Sequence, residues 1–295
     1  MTIDNEGLQR LTTKKLAEIR SADLLPEELI GLVEQVIPLQ LAAHSAANIT
    51  LPDVSQCATA EAMFAGSPML TRESFPHDEA QALELFVKLL DLLAGVGGET
   101  ANAAKTLHEA IASGDLNPAL VLRSLAAGDE SIFAEWRAKL PSTPRALDFL
   151  ALSALWPSQN AAALALAPRV PENLPTEHGH CPLCGSLPYI TLLREKEGLR
   201  FAACSFCGHE YRIRRIACPY CDESDQKKLK LFRVKEYPNV RVDVCDTCSM
   251  YVKTLDFREL DSEPMPALDD MATLALDMLA QEEGYKRPTL SAWGF

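Results

Sequence analysis

No stretch of this 295-residue chain reaches the roughly 18 consecutive apolar residues that a membrane-spanning helix needs. The nearest approach, residues 146–167, is interrupted by Trp156-Pro-Ser-Gln-Asn160, so no membrane insertion is expected. The opening Met1-Thr-Ile-Asp-Asn-Glu-Gly7 holds no apolar signal-peptide core, so a cytoplasmic location is expected. Catalytic motifs are equally scarce. The histidines, His44, His77, His108, His178, His180 and His209, form neither an H-x-x-x-H nor an H-E-x-x-H array, and no G-x-S-x-G turn is present. There is no glycine-rich phosphate loop, no alternation of strands with helices and no helical repeat of fixed period. No catalytic residue is assigned, and the chain is read as a non-enzyme.

Positive charge is also short: 28 Lys and Arg face 41 Asp and Glu, for a net charge of −13. The deficit is uneven. Residues 168–259 hold 15 basic and 13 acidic side chains, a balance of +2, so the remainder carries −15. A general nucleic-acid binder shows a clearly basic face, and no nucleic-acid partner is expected here. Arg212, Arg214 and Arg215 are the local exception. On a strand Arg212 and Arg214 share a face, which suits either a solvated surface or a docking patch for an acidic partner segment.

What the chain does have is cysteine in pairs. Eight of its nine cysteines form four C-x-x-C knuckles: Cys181–Cys184, Cys204–Cys207, Cys218–Cys221 and Cys245–Cys248, separated by 19, 10 and 23 residues. One such pair is weak evidence, whereas four in a short stretch point to two tetrathiolate metal sites. Two residues between the thiolates let the backbone turn tightly, so both sulfurs face one cation. Glycine after the second cysteine accepts the left-handed conformation such a turn needs. Gly185 and Gly208 occupy that position in the first two knuckles, while Asp222 and Ser249 stand there in the others and predict a strained or differently turned second site. Pairing in chain order is simplest, and an interleaved pairing fits the spacing too. A reducing compartment favours metal over disulfides. Zinc and iron both suit four thiolates. Zinc would make a redox-silent staple, and iron would permit one-electron chemistry. Closed sites of this kind hold a small domain together and leave no open position for catalysis. His180 and His209 border the knuckles as alternative ligands, and Cys57 is left as a small buried or loop residue.

The rest of the chain divides around this region. Residues 1–166 read as an all-α helical domain. Ala82, Leu85, Phe86, Leu89, Leu92 and Leu93 recur at helical spacing over residues 78–94, and Gly95, Gly97 and Gly98 stop that helix. Further helices are expected at 26–43 and 101–113, and Asn117-Pro118 and Thr143-Pro144 each place a capping residue before a first-turn proline. Residues 167–180 form a proline-rich linker. Residues 181–262 form the metal-binding domain, with strands at 211–214, 230–234 and 240–244, the last with its valines on one face. Residues 263–295 hold a C-terminal helix over 268–283, with Leu268, Met271, Leu274, Ala275, Met278 and Leu279 as its apolar stripe and Asp269, Asp270 and Asp277 on a solvated or partner-facing side. The expected class is thus α+β multidomain: helices, a small β-rich domain with two rubredoxin/zinc-ribbon-like four-cysteine sites, and a C-terminal helix.

The order His180-Cys-Pro-Leu-Cys-Gly185, Cys204-Ser-Phe-Cys-Gly208-His-Glu210, Arg215-Ile-Ala-Cys218 and Cys245-Asp-Thr-Cys248, followed by Tyr251-Val-Lys-Thr-Leu-Asp256, resembles the bacterial formate dehydrogenase accessory protein FdhE family. The tail Asp269-Asp-Met-Ala-Thr-Leu-Ala-Leu-Asp277, running to Glu282-Glu-Gly-Tyr285, is similar again. The resemblance covers residues 177–287, with Tyr211 where the family has tryptophan and Asp222 and Ser249 where it has glycine. It implies a cytoplasmic assembly factor that binds the catalytic subunit of respiratory formate dehydrogenase before twin-arginine export. It also implies rubredoxin-like iron held by Cys181, Cys184, Cys204, Cys207, Cys218, Cys221, Cys245 and Cys248. On that basis the knuckle domain would sense or protect the redox state of its client. A rubredoxin-like electron carrier and a zinc-ribbon regulator of nucleic acid are the alternatives.

Overall fold

Helices fill most of the first 166 residues, and several begin at the capping residues that mark them. The structure is a computed structural model that describes residues 5–174, 176–260 and 262–294. The opening residues 1–4, read above for an export signal, lie outside the described residues, as do Pro175 in the proline-rich stretch, Asp261 and Phe295. The helices are α1 (Asn5–Ala22), α2 (Glu27–Ala46), α3 (Ala60–Phe64), α4 (Glu79–Val96), α5 (Gly98–Ser113), α6 (Pro118–Ala127), α7 (Ser131–Lys139) and α8 (Ala146–Leu166). Asp78 caps α4 by accepting from the Gln81 amide, and Asn117 caps α6 by accepting from Ala119 and Leu120. The buried face of α4 is Ala82, Leu85, Phe86, Leu89, Leu90 and Leu93, the stripe that its periodicity marks, with Leu90 in place of Leu92.

Residues 156–160 interrupt the apolar run but not the helix. α8 runs unbroken through Pro157, which lacks the N–H that would bond the Ser153 carbonyl one turn earlier. That carbonyl instead accepts the buried Gln40 side-chain amide at 3.0 Å. Gln40→Leu should therefore cost about 1–3 kcal/mol, because it leaves a buried carbonyl without a donor. In a Pro157→Ala background the restored helix bond should recover most of that loss in urea unfolding. Equal costs in both backgrounds would break the link between the two residues. No helix among the described residues is long and apolar enough to cross a membrane.

After the helices come six strands: β1 (Pro188–Arg194), β2 (Leu199–Cys204), β3 (Glu210–Ile213), β4 (Leu229–Phe232), β5 (Val240–Cys245) and β6 (Met250–Asp256). They form one sheet in the order β3-β2-β1-β6-β5-β4. Neighbours are antiparallel except β1 and β6, which run parallel and join two three-stranded meanders. Each meander has the same plan: knuckle, two strands, knuckle, strand. Val240, Val242, Val244, Tyr251 and Leu255 face one side and pack with Leu276 and Ala280. This is the α+β architecture expected from the sequence, with the two four-cysteine groups in the sheet region and helices after it.

The single C-terminal helix expected over 268–283 is two, α9 (Pro266–Met271) and α10 (Leu274–Glu282). The break shifts the buried face. Leu268 and Met271 are buried as expected, but Leu276, Asp277 and Ala280 follow them inward, while Met278 is 65% exposed. At the break Thr273 Oγ1 donates to the Asp270 carbonyl, and the Lys253 ammonium donates to the carbonyls of Asp270 and Thr273.

The chain divides into two units, one of Met1–Pro52, Arg72–Ala165 and Trp293–Phe295, the other of Asp53–Thr71 and Leu166–Ala292. The second thus includes a short segment from the helical half. The Met69 and Leu70 amides donate to the carbonyls of Pro182 and Leu183 inside the first knuckle, at 2.8 and 3.0 Å. The proline-rich stretch is bonded into the same unit at its end: the Arg214 amide donates to the Thr176 carbonyl, and a Cβ on Gly179 would lie 2.0 Å from the Pro219 carbonyl oxygen.

Candidate metal centres

All four knuckles close in one way. The residue after the second cysteine donates its amide to the first cysteine's carbonyl: Gly185 to Cys181 at 2.8 Å, Gly208 to Cys204 at 3.2 Å, Asp222 to Cys218 at 3.1 Å and Ser249 to Cys245 at 2.8 Å. All four of these residues have positive φ, at 73°, 69°, 58° and 56° in that order. The second site is therefore not turned differently, as its lack of glycine had suggested. Asp222 and Ser249 are held in the left-handed region, which disfavours a side chain by about 1–2 kcal/mol. Ser249→Gly should raise stability by roughly 0.5–1 kcal/mol, the relief being partly offset by a more flexible unfolded chain. A thermal melt with the second cluster loaded would show it, and a loss of stability would mean that the serine itself supports the turn.

The turns gather the sulfurs in chain order, not interleaved. Cys181, Cys184, Cys204 and Cys207 form one group and Cys218, Cys221, Cys245 and Cys248 the other, with all ligand atoms of a group within 4.8 Å of one another. Sulfur separations are 3.8 Å for Cys181–Cys207, 3.4 Å for Cys184–Cys204, and 3.7 Å for both Cys218–Cys248 and Cys221–Cys245. A tetrahedron of sulfurs at about 2.3 Å from a central ion has edges of roughly 3.8 Å, so the donor set fits one metal ion per group. Each cluster could hold such an ion. A disulfide needs about 2.05 Å, and all nine cysteines are free thiols.

Electrostatics also favour a cation. In the first group burial pushes the Cys181 and Cys207 thiols up. Burial works against Cys184 as well, but hydrogen bonds from Cys181, Cys204 and Cys207 outweigh it and hold its pKa low. The second group repeats the pattern. Burial raises Cys218 and pushes Cys248 up to about 11, while Cys245, despite burial, is lowered by the amides of Cys248 and Thr247. One thiolate per cluster forms readily and two others resist, so full ionisation needs a bound cation. The two groups differ in access: the first is buried throughout, whereas Cys221 is exposed and Cys248 half-buried.

The bordering histidines are in neither group among the described residues. His180 Nε2 contacts the Gly66 carbonyl at 2.8 Å, and burial pushes His209 down to about 4. Cys57 lies apart, its thiol 3.6 Å from the Asp53 carbonyl.

Two features were not read from the sequence. Asp269, Asp270 and Asp277, expected on a solvated face, are 1%, 0% and 7% exposed. Asp270 and Asp277 form a buried cluster with Lys253 and Arg287: Lys253 Nζ lies 2.8 and 2.5 Å from their carboxylates, and Arg287 lies 2.7 and 3.1 Å away. On the opposite side of the sheet Arg200, 3% exposed, donates to Asp243 at 2.9 Å and to the carbonyl of Ala217, the residue before Cys218. A lysine inside the apolar run Tyr251-Val-Lys-Thr-Leu was the available signal for the first cluster.

Family models match this region in two consecutive parts. The FdhE central domain matches residues 180–215 and the FdhE C-terminal domain matches residues 216–293, so each matched part holds one cysteine cluster. This region belongs to the FdhE family. A protein FdhE homolog from Haemophilus influenzae is 32% identical over 148 residues, 48% of each chain, so the match spans about half the length of that relative. Protein FdhE from Escherichia coli is 26% identical over 242 residues, covering 80% of this chain and 72% of that one. The crystal structure of the FdhE protein from Pseudomonas aeruginosa has a TM-score of 0.63 at 24% identity, covering 97% of this chain and 95% of that chain. At that identity the likeness is one of FdhE fold.

Proposed function

We propose that this protein is a maturation factor for formate dehydrogenase. It binds the catalytic subunit in the cytoplasm before export and performs no catalysis of its own. The observation that carries this reading is the match of the FdhE central and C-terminal domains over residues 180–293, with one cysteine cluster in each. Cys181, Cys184, Cys204 and Cys207 hold one metal ion, and Cys218, Cys221, Cys245 and Cys248 hold a second. Iron is the proposed occupant and supplies one-electron chemistry when bound, whereas zinc would leave a purely structural site. Thiolate sites without an open ligand position suit recognition and surveillance of a redox-active client better than turnover.

The test is an anaerobic capture experiment with the tagged chain as bait, in extract of its own host grown on formate with nitrate. A Cys181→Ala/Cys184→Ala bait runs beside it. Recovery of the catalytic subunit by the wild type alone supports the accessory role and ties it to the first cluster. Equal recovery by both baits places docking elsewhere on the chain. Recovery by neither, with folded bait, removes the maturation reading and favours an electron carrier. Metal analysis of anaerobically purified protein decides the redox part, which zinc alone would end.

A further inference from the structure

One side of the sheet is covered by the apolar packing of β5 and β6 with α10. The other side carries charged side chains among apolar ones and a cavity of about 490 Å³ beside the second cysteine cluster, walled by Ile216 and Leu231 and reaching Arg200, Arg241, Asp243 and Cys218. We propose that this cavity is a docking groove for an extended, acidic segment of a partner protein, anchored by a bulky apolar side chain. The identity of that partner rests on the maturation reading above.

Charge carries the first part of the argument. Arg200, Arg215 and Arg241 all line the cavity, and Asp243 is its lining carboxylate. Asp243 is already engaged by Arg200 at 2.9 Å, Arg241 at 2.8 Å and the Thr254 hydroxyl at 2.6 Å. Lys230 is balanced by Asp246 at 2.6 Å. Arg215 donates to the neutral Glu197 carbonyl. Lys230 stands opposite Val244 and cancels against Asp246 on the other face of β4. Three guanidiniums thus share Asp243 in the cavity, an excess of two positive charges on a chain whose net charge is −13. Such a site attracts anions, while whole copies of this chain, each at −13, repel one another overall.

Shape carries the second part. Ile216 and Leu231 are 52% and 51% exposed, and two such aliphatics at one cavity offer a seat for an apolar side chain. A small inorganic anion would use neither. Leu231 also belongs to β4, the edge strand, which pairs only with β5 among the described residues. An extended segment laid along that free edge gains main-chain hydrogen bonds while its alternate side chains reach the groove. Within the arginine group singled out in the sequence, Arg212 lines a different cavity and Arg214 pairs with Glu177 at 3.1 Å, so Arg215 is the member left to serve the groove.

The experiment compares the full-length chain with Arg215→Glu and with Ile216→Ser/Leu231→Ser, assaying each for metal content and for capture of the formate dehydrogenase catalytic subunit at low and high salt. The altered side chains lie at the surface, so both variants should keep two metal ions. Each should lose about tenfold or more in apparent affinity, and residual capture by the charge-reversed variant should lose its salt dependence. Wild-type capture undiminished in both variants would overturn the groove and leave the maturation role standing. No capture by wild type would overturn both. A wild-type dimer that the Ile216→Ser/Leu231→Ser variant abolishes in light scattering would put a second copy in the groove, and a low-salt gel shift abolished by charge reversal would put nucleic acid there. Either result would overturn the assignment.

Discussion

Lys253→Met is expected to destabilise the protein by about 3–5 kcal/mol, the range for removing one partner of a buried ion pair. Lys253 is 1% exposed, and its ammonium lies within 2.8 Å of both Asp270 and Asp277. With Arg287 in place the four side chains are neutral as a set. Removing the lysine leaves two carboxylates to one guanidinium, a net negative charge sealed under α9 and α10. It also strips a donor from the Asp270 and Thr273 carbonyls at the helix break. Methionine fills similar volume, so packing alone would cost little. Adding Asp277→Asn restores neutrality and should recover part of the loss, about 1–3 kcal/mol. Chemical unfolding of the metal-loaded protein measures both steps. A single variant within 1 kcal/mol of wild type would show that water reaches the cluster. The same network predicts an acid limb. Burial opposes the Asp270 carboxylate, but Arg287 and Lys253 outweigh it and hold its pKa below the usual value. Its contribution is therefore present at neutral pH and fades as pH falls below about 4, the ordinary range for aspartate.

Cys204→Ser should have the largest effect on this fold. It removes one of four ligands from the buried cluster, and structural four-ligand sites contribute about 10–16 kcal/mol of apparent binding free energy in small metal-folded domains. That matches or exceeds the roughly 5–15 kcal/mol by which whole domains are stable. Metal content should fall from two ions per chain to one, with loss of the cooperative melt of β1–β3. Cys57→Ser is the control and should leave both quantities unchanged, since that thiol lies outside both groups. Two ions retained in Cys204→Ser would mean that another ligand completes the site.

The metal region was legible because its chemistry is local. A C-x-x-C knuckle carries its geometry within a few residues, and the valines of β5 alternate as an isolated strand should. Asn117 announced its helix for the same reason, whereas Thr143-Pro144 stands just ahead of α8, which begins at Ala146. What escaped depended on partners far along the chain. Pro157 is a helix breaker until Gln40 supplies the missing donor from 113 residues away. Asp270 and Asp277 look solvent-facing until Lys253 is known to point at them. The positive φ at Ser249 lies between these cases: the knuckle pattern demanded it, while the residue type argued against it.

The stretch Asp53–Thr71 has a bearing on synthesis. During translation it leaves the ribosome more than a hundred residues before Pro182 and Leu183, the carbonyls that receive its amides. At about 5–20 residues per second that is a wait of roughly 5–25 seconds. Throughout it Met63, Met69 and Leu70, all 5% exposed or less once folded, lack the surroundings that bury them. This stretch therefore cannot settle with the helices that flank it in sequence: its own arrangement is completed only after the first cysteine turn has emerged.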